Sequence, residues 1–520
     1  MKNKNLIIQA GGKGTRLKHL TQNVPKCLVP VSGKTLFSRI VDRFGSDHNI
    51  FFIVDHLSEV VVSYRDTFFR EVTIIKTSDI GTCSGISCAL DKIPAGQNVK
   101  ISWSDLLFEE NLIFDETKNT IGLSQTFDCR YQYIDNQIIK ETSNRAGIAG
   151  FFSFACKSIL EDVPSSGSFV GKWLRITKNI DFSELTLNGV HEIGTLDLIA
   201  EYESKSEKSR FFNQVVIDGS KVTKSSKDEA YNSMIENEFM WYTYPKFNSL
   251  SFIPKNVEMI EKNTLVMENL GESAASIFPT YSRYQKEEFL IKVMNRIQQI
   301  HDLDKCKFNK YDNFKLYVQK VFDRTFPYEK MLKHFHKPVM KINNKIMINP
   351  FQGFESFSQE LVKIGNPNWT VVHGDITLSN ILISSDGNIS LIDPRATLGS
   401  GFSMFGDPIY DFAKLYYSIV DGYDSVNTRK FRVSYDKENI EIEDFFDSQI
   451  DNIFFQHCKY SKREILSRLY GIWFSLIGWV SEDIDAMNYA FFKGVIAYNE
   501  YVKSCEPRID PQLVKKLYGV

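Results

Sequence analysis

An excess of charge of either sign is missing from this chain. Its 520 residues carry 62 Lys+Arg against 64 Asp+Glu, a formal net charge of -2. That balance leaves no general electrostatic footprint for nucleic acid or for a membrane surface. Cysteine is sparse and unpatterned. The eight thiols (Cys27, Cys83, Cys88, Cys129, Cys156, Cys306, Cys458 and Cys505) form no CxxC pair, which argues against a zinc ribbon and against a disulfide-stapled secreted domain. Long apolar runs are also lacking. Gly471-Ile-Trp-Phe-Ser-Leu-Ile-Gly-Trp-Val480 is about half the length needed to span a bilayer, and the stretch after Met1-Lys-Asn-Lys4 is too short for a signal peptide. No internal repeat or low-complexity tract is visible. These absences predict a cytoplasmic protein whose partners are small molecules, with no role for nucleic acid or membrane and homo-oligomerisation left open.

What is present is ordinary globular material: 43% hydrophobic and 24% charged residues, in a chain long enough for two or three domains. Short apolar runs at 5–10, 50–54, 72–75 and 99–103 are separated by helix-length segments. That alternation predicts an α/β domain with a largely parallel sheet. Residues 201–210 are nearly all polar and mark a boundary, giving domains of 1–205 and 211–520. Past Phe211, strand-like pieces at 213–218, 222–225 and 264–267 surround a helical stretch at 227–242. Beyond Pro279 the pattern is mostly helical, interrupted at 369–373 and 389–392. A small mixed lobe followed by a larger helical lobe is a kinase-like arrangement.

The first predicted strand runs straight into glycines: Leu6-Ile-Ile-Gln-Ala-Gly-Gly-Lys-Gly-Thr-Arg-Leu17, followed by Pro25-Lys26 and Pro30. Glycine there lets backbone N–H groups approach a triphosphate without a Cβ in the way. It is neither a dinucleotide fingerprint, because Leu17 stands where the third glycine belongs, nor an ATPase P-loop, because no Gly-Lys-Ser/Thr closes it. The segment resembles the signature of the sugar-nucleotide and choline-phosphate nucleotidyltransferases. The resemblance covers roughly residues 1–200 and implies a Rossmann-like α/β domain. It implies that Gly11, Gly12, Gly14 and Thr15 cradle a nucleotide, and that Arg16 and Lys26 hold the triphosphate and the incoming phosphate. Fixed cations offset the repulsion between a phosphate nucleophile and the α-phosphorus it attacks. Gly81, Thr82 and Gly85 match the family's base-contacting segment. Asp105 and Glu192 occupy the places of its Mg²⁺ carboxylates, with Ser104 replacing a glycine and Glu192 an aspartate. Residues 146–154 match its acceptor strand only loosely.

A second constellation lies far downstream: His373-Gly-Asp375, Asn380 five residues on, and Asp393 thirteen residues beyond that. It resembles the aminoglycoside phosphotransferase and choline kinase family, itself similar to protein kinases, and implies a bilobal α+β domain over approximately residues 211–500. By that resemblance Asp375 takes the proton of the acceptor hydroxyl, while Asn380 and Asp393 hold Mg²⁺ against the phosphates of ATP. Lys224 suits the strand lysine that contacts ATP, and Glu238 its helix partner, with Glu236 the alternative. The segment around Glu268 suits the adenine-binding hinge, and Asp411, in Gly406-Asp-Pro-Ile-Tyr-Asp411, suits a structural role. Only Asp218-Gly219-Ser220 is visible as a glycine loop. Tyr470, Trp473 and Trp479 either cage a quaternary ammonium or form a helix's core face.

A kinase makes a phosphate monoester and a nucleotidyltransferase consumes one. The joint expectation is a bifunctional enzyme that phosphorylates choline, ethanolamine, a polyol or a sugar with ATP and Mg²⁺. It would then couple the product to an NTP, CTP by preference, for a surface polysaccharide such as capsule. The alternatives are a sugar kinase fused to a uridylyl- or guanylyltransferase, and a protein with one domain reduced to nucleotide binding.

Overall fold

A computed structural model describes residues 2–77, 81–177, 180–205, 213–398, 401–436, 438–443 and 446–505. The chain divides into two compact units. One comprises Met1–Ser206 with Glu482–Ile484, the other Glu207–Ser481 with Asp485–Val520. The polar stretch 201–210 coincides with the end of a helix, Leu196–Lys205; its remaining residues lie outside those described.

In the first unit the apolar runs form strands because β-branched and aromatic side chains suit a sheet buried on both faces. Lys4–Gln9 lies between His48–Val54 and Asn98–Trp103, parallel to both, and Thr73–Lys76 extends the sheet beyond His48–Val54. Gly147–Phe154 then pairs antiparallel with Asn98–Trp103, so the sheet is mixed. Leu6, Ile7 and Ile8 are fully buried at its centre. Helices Leu36–Phe44 and Thr82–Leu90 follow the strand–helix alternation read from the sequence. The parallel strands end together, which gathers the loops after Gln9, Val54 and Trp103 at one edge. A short strand, Val190–Glu192, pairs antiparallel with Leu106–Phe108, and that pairing brings the end of the unit back to the turn that carries Asp105.

The second unit begins with an antiparallel four-stranded sheet in the order Asn213–Asp218, Lys221–Ser226, Thr264–Glu268, Glu258–Glu261, alongside the helix Asn232–Tyr242. Below it in sequence come the helices Arg283–His301, Pro408–Ile419, Lys462–Ile477 and Ile484–Cys505. Two begin with capping boxes, Ser282 with Gln285 and Ser461 with Glu464, which satisfy otherwise orphaned N–H groups. The strands Thr264–Glu268 and Asn368–Val371 fall where the alternation placed them. One feature of this lobe departs from the mostly helical expectation. Lys345–Ile348, Val339–Ile342, Asn439–Ile442 and Val433–Asp436 form a further four-stranded sheet. No described helix is long and apolar enough to cross a membrane.

Candidate active sites

The cavity of the first unit, about 570 Å³, opens where the parallel strands end, and its lining includes Gly11, Gly12, Arg16, Lys26, Asp105 and Glu192. Gly14 does not line it. It holds φ 64°, and a Cβ there would meet Thr21 Cγ2 at 2.9 Å. Its carbonyl accepts from the Leu17 amide at 2.8 Å and the Thr21 hydroxyl at 3.0 Å. Gly14 therefore turns the chain so that Arg16 reaches the cavity, and Thr15 begins the helical turn that follows. Lys26 pairs with Asp105, both largely buried, and Arg16 Nη2 donates to Glu192 Oε1 at 3.1 Å. The Ile193 amide donates to the Asp105 carbonyl at 2.8 Å. Two cations and two carboxylates, distant in sequence, thus alternate around one cavity.

Gly81 and Thr82 also line this cavity, and Gln9 Nε2 donates to the Thr82 carbonyl at 2.9 Å. Gly85 does not. A Cβ there would meet Ile53 Cγ2 at 2.2 Å, so this glycine permits the close packing of helix on strand. Ile148, Ala149 and Gly150 of the loosely matched strand line the cavity. So do Trp103, Asp128, Arg130 and Tyr131, which motif reading missed because no local pattern connects them.

The second unit holds a cavity of about 450 Å³ lined by Lys224, Glu238, Asp375 and Asp393 together with several cations of the helical lobe. Lys224 Nζ donates to Glu238 Oε2 at 2.6 Å and to Asp393 Oδ1 at 2.8 Å, which selects Glu238 over Glu236. Burial lowers the lysine pKa, but Asp393 and Glu238 outweigh it and hold Lys224 above its ordinary value. Burial also pushes Glu238 upward against the pull of Lys224. Breaking such a buried pair from one side costs about 3–5 kcal/mol. Asp393 sits at φ 58°, an uncommon backbone region for a non-glycine residue, and its amide donates to the Tyr242 hydroxyl at 2.9 Å.

The catalytic-loop segment is held from below. Asp411, fully buried, accepts from the amides of His373 at 2.9 Å and Gly374 at 2.6 Å, and lies 2.9 Å from His301 Nε2. Gly374 takes φ 80°, where a Cβ would meet Arg395 Cβ at 2.9 Å. His373 is buried, and burial lowers its pKa, so it packs as a neutral ring with Nδ1 3.3 Å from the Asp375 amide. Asn380 Nδ2 donates to the Asp375 carbonyl at 2.9 Å and to Asp375 Oδ2 at 3.0 Å. Lys414 Nζ lies 2.8 Å from Asp375 Oδ1, a partner the sequence reading missed although Lys414 stands one helical turn past Asp411. Glu268 does not line this cavity; it is exposed and accepts from the Lys255 amide at 2.8 Å. Of the aromatic trio, Trp473 and Tyr470 are fully buried core and only Trp479 lines the cavity. Trp473 Nε1 donates to Asp421 at 2.6 Å, so no cage forms from the three. Replacing Asp411 by Ala leaves two buried amides without their acceptor. We expect destabilisation of about 1–3 kcal/mol per orphaned group, seen as a lowered unfolding transition of this unit with loss of its ATP turnover.

Magnesium fits the oxygens of both cavities. It takes oxygen ligands and usually only one or two carboxylates from protein. Asp105 and Glu192 supply two in the first cavity. In the second, Asp393 supplies one; the Asn380 side chain donates its nitrogen to Asp375, and its oxygen accepts from the Ser379 hydroxyl at 3.3 Å. Among the described residues no group of three or more His, Cys, Asp or Glu forms a metal site.

Fold and site together define a mixed α/β nucleotidyltransferase unit followed by a kinase-like unit. Residues 6–114 match the MobA-like NTP transferase domain and residues 350–439 the phosphotransferase enzyme family, so the chain joins an NTP transferase domain to a phosphotransferase domain. Among curated proteins, it is similar to the bifunctional protein GlmU of Methanococcus aeolicus, with 31% identity over 23% of this chain and 29% of the relative. It is also similar to GlmU of Methanococcus maripaludis, with 24% identity over 40% of this chain and 55% of the relative. The matched stretch thus spans about 29% of the first relative's length. Among solved structures it resembles the CTP:phosphocholine cytidylyltransferase LicC of Streptococcus pneumoniae, at 18% identity, covering 39% of this chain and 98% of that one with a TM-score of 0.32. HddC of Yersinia pseudotuberculosis is similar at 22% identity, with the same coverages and a TM-score of 0.33.

Proposed function

We propose that this chain carries out two consecutive reactions. The second unit transfers the γ-phosphoryl group of ATP to a hydroxyl of a small metabolite: the hydroxyl oxygen bonds to phosphorus, its proton passes to Asp375, and ADP leaves. The first unit then lets that monoester attack the α-phosphorus of an NTP, releasing pyrophosphate and leaving an NDP-linked compound. The observation that carries the reading is the presence in one chain of two cavities lined by both cations and carboxylates, one by Arg16, Lys26, Asp105 and Glu192, the other by Lys224, Asp375 and Asp393. A shared intermediate makes their fusion advantageous.

Arg16 and Lys26 would hold the triphosphate and the incoming phosphate, with Gly11, Gly12, Gly81 and Thr82 along the nucleotide. Lys224 would hold the ATP phosphates, and Asp105 with Glu192 and Asn380 with Asp393 the two Mg²⁺ sites. Magnesium, when bound, supplies charge neutralisation on the phosphates. CTP is the nucleotide we propose first, on the resemblance to the choline-phosphate branch, and a cell-surface polysaccharide is the proposed destination on the same ground. The buried state of Tyr470 and Trp473 favours a polyol or sugar acceptor over choline.

Mass spectrometry of the products tests this. Purified protein receives Mg²⁺, ATP, each of CTP, UTP, GTP and dTTP in turn, and a panel of choline, ethanolamine, polyols, sugars and their phosphates. We expect a new NDP-linked compound and pyrophosphate from unphosphorylated acceptor only when ATP is present. Absence of any ATP-dependent product across the panel, with nucleotide binding intact, would favour a domain that binds without turnover.

A further inference from the structure

Three cations line the cavity beside Asp375 without a carboxylate of their own. Lys320 lies late in the helical run over 310–323, Arg324 follows that run, and Arg395 stands two residues past Asp393. Lys320 Nζ and Arg395 Nη1 both donate to the Tyr410 hydroxyl, at 3.0 and 3.3 Å. Arg324 Nη1 donates to the Ser475 carbonyl at 3.3 Å. Among the described residues, none of the three has an Asp or Glu within ion-pair distance. The acids of the cavity are engaged elsewhere: Asp375 with Lys414, and Glu238 and Asp393 with Lys224. The cations disturb one another. Burial, then Arg395, Arg324 and Lys414, hold Lys320 well below the ordinary lysine range against the weaker pull of Asp375. Burial and Arg395 hold Arg324 down at about 10.

Half-buried cations that repel one another favour an anion among them. ATP is not the anion this wall addresses most directly, because Lys224 already reaches Asp393 and Glu238 on the side of the small sheet. The three cations instead belong to, or rest on, the helical lobe around Tyr410 and Ser475. Asp375, the group placed to receive a hydroxyl proton, lines the same cavity.

We propose that this wall is the acceptor subsite, and that the compound phosphorylated there already carries an anionic group, a phosphate monoester or a carboxylate, besides the hydroxyl that reacts. Lys320, Arg324 and Arg395 grip that group and aim the hydroxyl at Asp375. The proposal rests on the kinase reading above and adds the class of acceptor. A quaternary ammonium would face the same three cations and be repelled.

The test uses the full chain with Mg²⁺ and ATP and reads ADP formation with matched compounds: glucose, glucose 6-phosphate and glucuronate; ribitol and ribitol 5-phosphate; and choline. We expect an anionic member to exceed its neutral counterpart in kcat/KM by about ten-fold or more. Glucose 6-phosphate set against glucuronate separates phosphate from carboxylate. In Lys320→Met and Arg395→Met the KM for that anionic compound rises about 10–100-fold, the range of one charge-assisted contact, while the KM for ATP changes by less than about three-fold. Arg395→Lys, which keeps the charge, recovers part of the loss. Preference for a neutral compound or choline, or a KM for ATP that rises in parallel, overturns the proposal. Should no compound in the panel turn over, equilibrium titration with inorganic phosphate decides, with protein saturated by MgADP and CTP. Phosphate affinity is expected to fall at least about ten-fold in the Lys320→Met/Arg395→Met double variant and to persist in Asp375→Asn; unchanged affinity in the double variant overturns the proposal. Failure of the kinase reading shows differently, as ADP formation that Asp375→Asn does not reduce in any arm.

Discussion

Asp375→Asn is expected to lower acceptor-dependent ADP formation by about 10²–10⁴-fold, the range for removing a positioned general base. The substitution keeps the shape of the side chain and leaves one oxygen to accept from either Lys414, now 2.8 Å from Oδ1, or Asn380, now 3.0 Å from Oδ2. An amide, however, takes no proton from a hydroxyl at neutral pH. Because Asp375 lines the cavity of the second unit and not that of the first, pyrophosphate release from a pre-phosphorylated acceptor and NTP should stay within about two-fold of the parent. A folded variant that lost both reactions would show that the division of labour between the units is wrong.

Lys26→Ala is the mirror experiment and the second largest effect. Lys26 is the largely buried partner of Asp105. Its removal both leaves that carboxylate without its cation and strips a fixed positive charge from the place where, on the proposed reaction, a phosphate would meet a triphosphate. We expect pyrophosphate release to fall by about 10²–10³-fold, as when one electrostatic stabiliser of a transition state is deleted. ADP formation by the second unit should be unaffected. Arg16→Ala is expected to be milder, because Arg16 is about half exposed at 52% against 13% for Lys26 and exposed charges are screened by water. A Lys26→Ala variant with undiminished pyrophosphate release would remove Lys26 from the reaction.

How legible all this was in the sequence depends on range. The strands Lys4–Gln9, His48–Val54 and Asn98–Trp103 announce themselves because a buried parallel sheet writes continuous apolar runs. Gly11, Gly12, Asp375, Asn380 and Asp393 could be singled out because each lies a short, fixed distance from a strand end. The sheet built from Val339–Ile342, Lys345–Ile348, Val433–Asp436 and Asn439–Ile442 was hidden. Its strands are four residues long, too short for a period of two to stand out, and the pairing that joins its two hairpins crosses about a hundred residues. At Gly85 and Gly14, which the motif assigns to a nucleotide, the space a Cβ would fill is taken by Ile53 and Thr21; glycine in a motif reports close approach without saying of what. The cations Lys320, Arg324 and Arg395 carried no signal, since an isolated Lys or Arg reads as solvated surface. Their shared place in the lining of one cavity with Asp375 shows where they face.

The central claim is that one phosphorus atom passes through both units. Protein supplied with ATP labelled at the γ-phosphorus, unlabelled CTP or another NTP, Mg²⁺ and the acceptor panel should yield an NDP-linked product. The label should reside in the phosphate next to the acceptor, with unlabelled pyrophosphate released. A labelled monoester that never enters an NDP-linked product, or an NDP-linked product without label, would contradict the account.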